Sequence, residues 1–221
     1  MKRKYIAFAL PILLAATPAS ATGIDFGLNA GTLGAGPQLG ITIVPDTFRA
    51  RLATGFLDYS DTVTADEIEY SGDLKLRNAA LIGDYHPFGG VFRLSAGAVL
   101  NANEFSATGT VIDGTTYTAD GVSYTASAGD SVNADVDFDA VAPYVGIGWG
   151  SAGRNSGLSL SADIGVMFQG SPSASIDIET SNASVQAQAD QYAARAESDL
   201  NDELDGFELY PVVQLGAIYR F

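Results

Sequence analysis

The sequence has no cysteine, one histidine and one tryptophan, and few basic residues: 11 Lys plus Arg stand against 26 Asp plus Glu. Without cysteine there are no disulfides and no thiolate metal sites. A chain with a formal net charge of -15 does not seek nucleic-acid phosphates, so no nucleic-acid partner is expected. Beyond the N-terminal segment there is also no apolar run long enough for a transmembrane helix. Entry into a membrane would have to use strands.

The N-terminal segment has its own logic. Lys2, Arg3 and Lys4 precede an apolar stretch from 6 to 16, and Ala19-Ser20-Ala21 supplies the small residues of a cleavage site. This is the pattern of a secretory signal peptide over 1–21. The apolar stretch is too short to span a bilayer and contains Pro11. No Cys stands at the cleavage site to carry a lipid. The expected mature domain is 22–221, with 200 residues and, once three basic residues are removed, a net charge of -18.

What the mature chain does have is alternation. In the stretch from 92 to 100, Phe92, Leu94, Ala96, Ala98 and Leu100 form an apolar row opposite Arg93, Ser95, Gly97 and Val99. From 158 to 169 the row is Leu158, Leu160, Ala162, Ile164, Val166 and Phe168, opposite Ser159, Ser161, Asp163, Gly165, Met167 and Gln169. Val141, Val145, Ile147 and Trp149 stand against Ala142, Tyr144, Gly146 and Gly148. Arg49, Arg51 and Gly55 stand against Leu52, Thr54 and Phe56. The chain closes on "YPVVQLGAIYRF", where Val213, Leu215, Ala217, Tyr219 and Phe221 form one row and Gln214, Gly216 and Arg220 the other. A period of two is strand periodicity.

The non-apolar faces carry small residues with an isolated charge, which suits a narrow enclosed interior. The apolar rows then face lipid, with Trp149, Tyr219 and Phe221 in an aromatic girdle. A strand of about 12 residues rises roughly 40 Å and, tilted by about 40°, covers about 30 Å of hydrocarbon. Seven strands are evident, over 32–44, 48–59, 70–86, 91–105, 132–150, 157–171 and 207–221. Bacterial barrels have even counts, so the eighth is placed at 23–28, turning at Asn29-Ala30-Gly31.

Connections are of two kinds. Short ones at 44–47, 86–90 and 151–157 carry Pro, Gly and Asn. Long ones at 60–72, 104–139 and 172–206 carry 4, 7 and 8 acidic residues, with Arg195 their one basic residue. Short turns in the periplasm and long loops outside are the outer-membrane barrel arrangement. Asp113-Gly114 and Asp120-Gly121 are hairpin signals, so the second long loop is expected to project as a β-ribbon. Val185, Ala189, Tyr192, Ala196, Leu200 and Leu204 fall at helical spacing after Ser181 or Ser184 as N-caps, giving a helix that leans on the rim or binds a partner.

The ending Gln214-x-Gly216-x-x-Tyr219-x-Phe221 resembles the C-terminal assembly signal of outer-membrane proteins, which the barrel-assembly machinery reads. "DYHPFGGVFRLSAG", "VAPYVGIGWG" and "DIGVMFQGSP" resemble stretches of a group of Gram-negative outer-membrane proteins, small barrels of the OmpA, OmpX and OmpW type. The resemblance implies an all-β, eight-stranded antiparallel transmembrane barrel in the bacterial outer membrane. Outer-membrane lipid, lipopolysaccharide and the assembly machinery are its implied partners.

Some barrels of this kind are hydrolases or acyltransferases whose sites open outward. His86 lies in a short turn on the periplasmic side, the wrong end for such a site, and Asp84 and Arg93 flank the same turn as a structural pair. No catalytic residue and no cofactor are expected. The polar lumen candidates are Arg49, Arg51, Arg93, Tyr144, Asp163, Gln214 and Arg220. A buried charge is tolerated only when paired, so these should form a network that fills the barrel.

Asp135, Asp137 and Asp139 lack the glycine and closing glutamate of a calcium loop, so no dedicated metal site is expected. Acidic loops beside anionic lipopolysaccharide do favour loosely held divalent cations. The expectation is a monomeric, non-enzymatic barrel with a structural or surface-interaction role through its acidic loops. The alternative is a narrow pore or a transporter of small hydrophobic molecules.

Overall fold

The computed structural model describes residues 23–65, 68–112, 114, 116–119, 122–150 and 157–221. The signal-peptide segment, Asp113, the Asp120-Gly121 pair and most of the 151–157 turn lie outside the described residues. Those described contain β1 (Ile24–Gly31), β2 (Gly34–Val44), β3 (Phe48–Ala65), β4 (Ile68–Tyr85), β5 (Phe92–Asn101), β6 (Glu104–Val111) and β7 (Thr116–Ala119). They continue with β8 (Val122–Thr125), β9 (Ser131–Asp137), β10 (Val141–Trp149), β11 (Gly157–Phe168), β12 (Ser173–Glu179), α1 (Ala183–Leu204) and β13 (Leu209–Arg220). No helix among them is long and apolar enough to cross a membrane.

Eight strands close into a ring in the order β1-β2-β3-β4-β5-β10-β11-β13, every pair antiparallel. The ring shuts where β13 meets β1, from Asp25 opposite Arg220 to Gly31 opposite Gln214. The C-terminal strand therefore has no free edge. Its apolar row and those of the other strands point outward, with Leu160 77% and Leu215 64% exposed. At the end where the chain terminates, Phe92 and Trp149 stack edge to face, as do Tyr219 and Phe221. A closed ring satisfies every ladder hydrogen bond, which is what lets strands lie in hydrocarbon.

The first hairpin differs from expectation. The strand runs to Gly31 and turns at Thr32-Leu33, two residues beyond the predicted turn. Gly34 there has φ +92, a conformation glycine adopts without strain. The turn tucks into the mouth of the barrel. The Leu33 carbonyl accepts from Asn78 Nδ2 at 3.1 Å, and Tyr210 donates its hydroxyl to the Thr32 carbonyl at 2.7 Å. A side chain at Gly55 would strike the Leu33 carbonyl, so glycine makes the close approach feasible.

The long loops differ more. β3 and β4 run unbroken past the barrel rim, paired from Phe48 opposite Tyr85 to Ala65 opposite Ile68. On the outer part of β4 lies β6, then β9, then β12, so that a wall of five strands stands above the membrane. β6, β9 and β12 continue β5, β10 and β11 after short breaks. The β-ribbon expected in the second loop is confined to the small β7–β8 pair. The helix is present and packs against β12. Its N-cap is Asn182, whose Oδ1 accepts from the Ser184 amide at 3.1 Å, in place of the two serines expected.

Candidate functional site

Inside the barrel, polar and apolar residues are stacked in layers. The layer nearer the short turns is an ionic chain. Arg49 donates through Nε to Asp25 at 2.9 Å and through Nη1 to Asp84 at 3.1 Å. Arg51 grips Asp163 with two hydrogen bonds, at 3.0 and 2.9 Å, and places Nε 3.1 Å from Asp84. Arg93 donates through Nη2 to both oxygens of Asp163 at 2.8 Å and through Nη1 to the Gly150 carbonyl at 2.7 Å. Its Nε lies 3.6 Å from Asp84, which also accepts from Ser95 at 2.7 Å. Arg220 extends the chain, 3.6 Å from Asp25.

All seven charged groups are nearly or wholly buried, Asp25, Asp84 and Arg93 completely. Four guanidiniums and three carboxylates could not be left unpaired at such depth. The alternating positions of these strands bring them together: Arg49, Arg51, Arg93, Asp163 and Arg220 each lie opposite an outward apolar row. The sequence reading passed over Asp25, which sits on the least evident strand, and placed Asp84 only as a partner of Arg93. The signal that finds them is parity, since Asp25 registers with Arg220 and Asp84 with Arg49.

Above this layer lies an apolar one: Leu33, Ala80, Ile82, Val99, Tyr144, Met167 and Val212. Tyr144 is buried here beside Asp163, and Gln214 lines the same region. The void left between the layers is about 30 Å³, room for roughly one water. Asn29, Gln38, Asn78 and Gln214 line it, and each has a buried side-chain polar atom without a protein partner.

His86 sits at the turn end. Its Nδ1 faces the carbonyls of Gly90 and Phe92 at 3.0 and 3.1 Å, which fixes the proton on that nitrogen in the neutral ring. Burial pushes the imidazole below its ordinary value. Backbone carbonyls thus engage its Nδ1, and Thr42, Thr47 and Arg220 line the small hollow beside it.

The second feature lies outside the membrane. The inward face of the wall carries Tyr59 and Val63 of β3, Ile68, Tyr70 and Leu74 of β4, Phe105 and Val111 of β6, Val132 and Val136 of β9, and Ile176 and Ile178 of β12. These fall opposite one another in register. The outward face carries Asp58, Glu69, Asp73, Glu104, Asp135, Asp137, Asp177 and Glu179. Between the inward face and α1 is a cavity of about 630 Å³.

α1 does not lie flat on the sheet. It is hung from the free edge of β12 by side chains that stand in for a neighbouring strand. Asn201 both accepts from the Ala174 amide at 2.8 Å and donates to its carbonyl at 3.0 Å. Glu197 accepts from Ile176, and Gln186 accepts from Thr180 and donates to Ile178. An edge strand is thereby covered without a further strand. No group of three or more His, Cys, Asp or Glu side chains is arranged to hold a metal among the described residues.

A closed ring of eight strands, apolar toward lipid and filled within, defines the class: this is a small outer-membrane β-barrel. The sequence matches no protein-family model and no curated protein. Among solved structures the chain is similar to CarO2 of Acinetobacter baumannii, with a TM-score of 0.59 and 18% identity, covering 90% of this chain and 98% of that one. It is likewise similar to CarO of the same species, with a TM-score of 0.55 and 20% identity, covering 90% and 97%. At these identities the likeness is one of fold.

Proposed function

We propose that the protein is a non-enzymatic outer-membrane barrel that works through its outer half, a surface-interaction module carried on a closed, membrane-anchored base. The observation that carries this reading is the contrast in free space. The lumen void is about 30 Å³, while the ordered outer half encloses about 630 Å³. Ion pairs from Arg220 to Asp163 serve as the plug, and the apolar layer capped by Leu33 seals the outer mouth. Gln214, Gly216, Tyr219 and Phe221 act as the assembly address, and lipopolysaccharide meets the acidic outward face of the wall through divalent cations.

The test is a planar-bilayer recording on the refolded, full-length mature chain. A plugged barrel gives no single-channel events. Discrete openings that change when Arg51 or Asp163 is neutralised would replace this reading with that of a narrow pore.

A further inference from the structure

We propose that the cavity between α1 and the inward face of the wall binds a small amphiphilic cation, an apolar body with an ammonium or guanidinium head. The proposal rests on the outer half being the working surface. Its volume, about 630 Å³, lies within the range of small-molecule sites. Tyr70, Val111, Val132, Ile178, Val185 and Tyr192 supply apolar walls from five different elements.

Two features keep this space open. The residues where helix and sheet would otherwise interlock are small, namely Ala107, Gly109, Ala134 and Ala189. The hydrogen bonds of Gln186, Glu197 and Asn201 hold α1 at the sheet edge, so the helix stands off the face. Collapse onto the face would bury apolar surface but break those hydrogen bonds, so the anchors oppose it. An apolar surface left facing water gains free energy when a ligand covers it.

Charge selects the head group. The lining includes Asp130 and Glu179 and no basic residue. Asp130 is 6% exposed, and its carboxylate accepts from Ser127 N at 2.9 Å, Ser181 N at 2.8 Å and Thr180 Oγ1 at 3.1 Å. Those bonds stitch the 127–130 turn to the start of the helix and hold a negative charge at one end of the cavity. Glu179, the last residue of β12, is turned to the outward side by its register with Ser131 and borders the cavity only at its exposed rim. The acidic outward face of the wall adds a field that draws cations in and repels phosphate-bearing lipids.

The full mature chain, refolded into phosphatidylcholine nanodiscs, is titrated with the neutral fluorophore N-phenyl-1-naphthylamine, and empty discs correct for partition into lipid. Three ten-carbon amphiphiles then compete: decyltrimethylammonium, decyl maltoside and decyl sulfate. The cation is expected to displace the fluorophore at a concentration about tenfold below that of the sulfate, the ratio expected of a partly desolvated charge contact. Ala134→Trp from the sheet and Ala189→Trp from the helix fill the cavity from opposite sides, and each should weaken binding about tenfold or more.

Glu179→Gln should narrow the preference for cation over sulfate about threefold, the scale of an exposed charge contact, and leave the maltoside unchanged. Asp177→Asn, on the outward face, is the control. Each variant is used once unboiled and boiled samples migrate differently on a gel. Should one tryptophan variant misfold, the other tests the same space. No binding above empty discs, binding indifferent to tryptophan, or equal competition by the sulfate overturns the proposal. Conductance of the same preparation is read separately. A conducting barrel that binds the cation loses the closed-lumen reading and keeps the site, and a silent barrel that fails to bind it loses the site alone.

Discussion

The lower and upper halves of β4 present opposite chemistry on the same face. Outward from the barrel come Tyr85, Gly83, Leu81 and Ala79, and then, with no break in the strand, Arg77, Lys75, Asp73, Ser71 and Glu69. Inward come Asp84, Ile82, Ala80 and Asn78, followed by Leu76, Leu74, Gly72 and Tyr70. The partner strand makes the same exchange between Phe56 and Asp58, and the pairing of the two runs through in one register. Alternation therefore fixes which residues share a face, while the surrounding medium decides which face is greasy. Lipid outside gives a polar interior, and water outside gives an apolar one. The reversal near Arg77 and Asp58 marks the outer boundary of the hydrocarbon, where the two side chains pair at 3.1 Å.

The largest effect should come from breaking the interior of the lower half. Asp163→Ala removes a carboxylate shared by Arg51 and Arg93 and leaves both buried cations to share Asp84, which Arg49 also uses. It should cost about 3–5 kcal/mol of barrel stability, the scale for removing one partner of a buried pair. Asp58→Ala removes the exposed partner of Arg77 in the upper half and should cost about 0–1 kcal/mol. Urea unfolding in lipid vesicles measures both. Equal losses would mean that the lumen network is solvated, and the layered plug would go with it.

The next test keeps one strand and one face. Leu81→Arg places a charge in the lipid band of β4 and should cost about 2–4 kcal/mol, as charged substitutions near the bilayer midplane do. Ser71→Arg lies on the same face ten residues away in sequence, above the reversal, and should shift stability by no more than about 0.5 kcal/mol. The comparison can be sharpened by moving arginine through Ala79 and Asp73. The penalty should fall away between them, and a penalty that persisted at Asp73 would place the boundary higher.

This contrast also explains what could be read from the chain. The lower half was legible because long, fatty side chains mark one row and glycine, serine and arginine the other. Even so, Ile24–Gly31 showed itself only through the requirement for an even strand count, since a short strand broken by Gly27 carries little pattern. In the upper half, Ala107, Gly109, Thr108 and Thr110 give weak alternation, and β6, β9 and β12 find their partners across long separations in sequence. β6 and β12 fall in stretches that read as acidic loops, while β9 reads as the start of one strand over 132–150, which is broken between Asp137 and Val141. The helix was evident from its spacing, but its means of attachment was not. Gln186, Glu197 and Asn201 read as ordinary solvated positions until the edge of β12 is seen to need donors and acceptors.

The smallest expected effect probes whether the halves are separable. Asn182→Ala removes the cap of α1 while touching nothing in the barrel. The Ser184 amide loses its acceptor, and the first turn, from which Gln186 reaches β12, frays. Loss of such a cap costs about 1 kcal/mol, equivalent to roughly a fivefold rise in local opening. Amide exchange over 184–190, and at Thr180, whose amide donates to Gln186, should quicken by that factor, while the urea midpoint of the barrel stays in place. The reason is local: the eight-strand ring closes through β13 and β1 without any bond to α1, so fraying of the helix is confined to the wall it hangs from. A fall in the barrel midpoint to match the exchange would show that the outer half is welded to the ring, and that its cavity is part of the core that the membrane half must fold around.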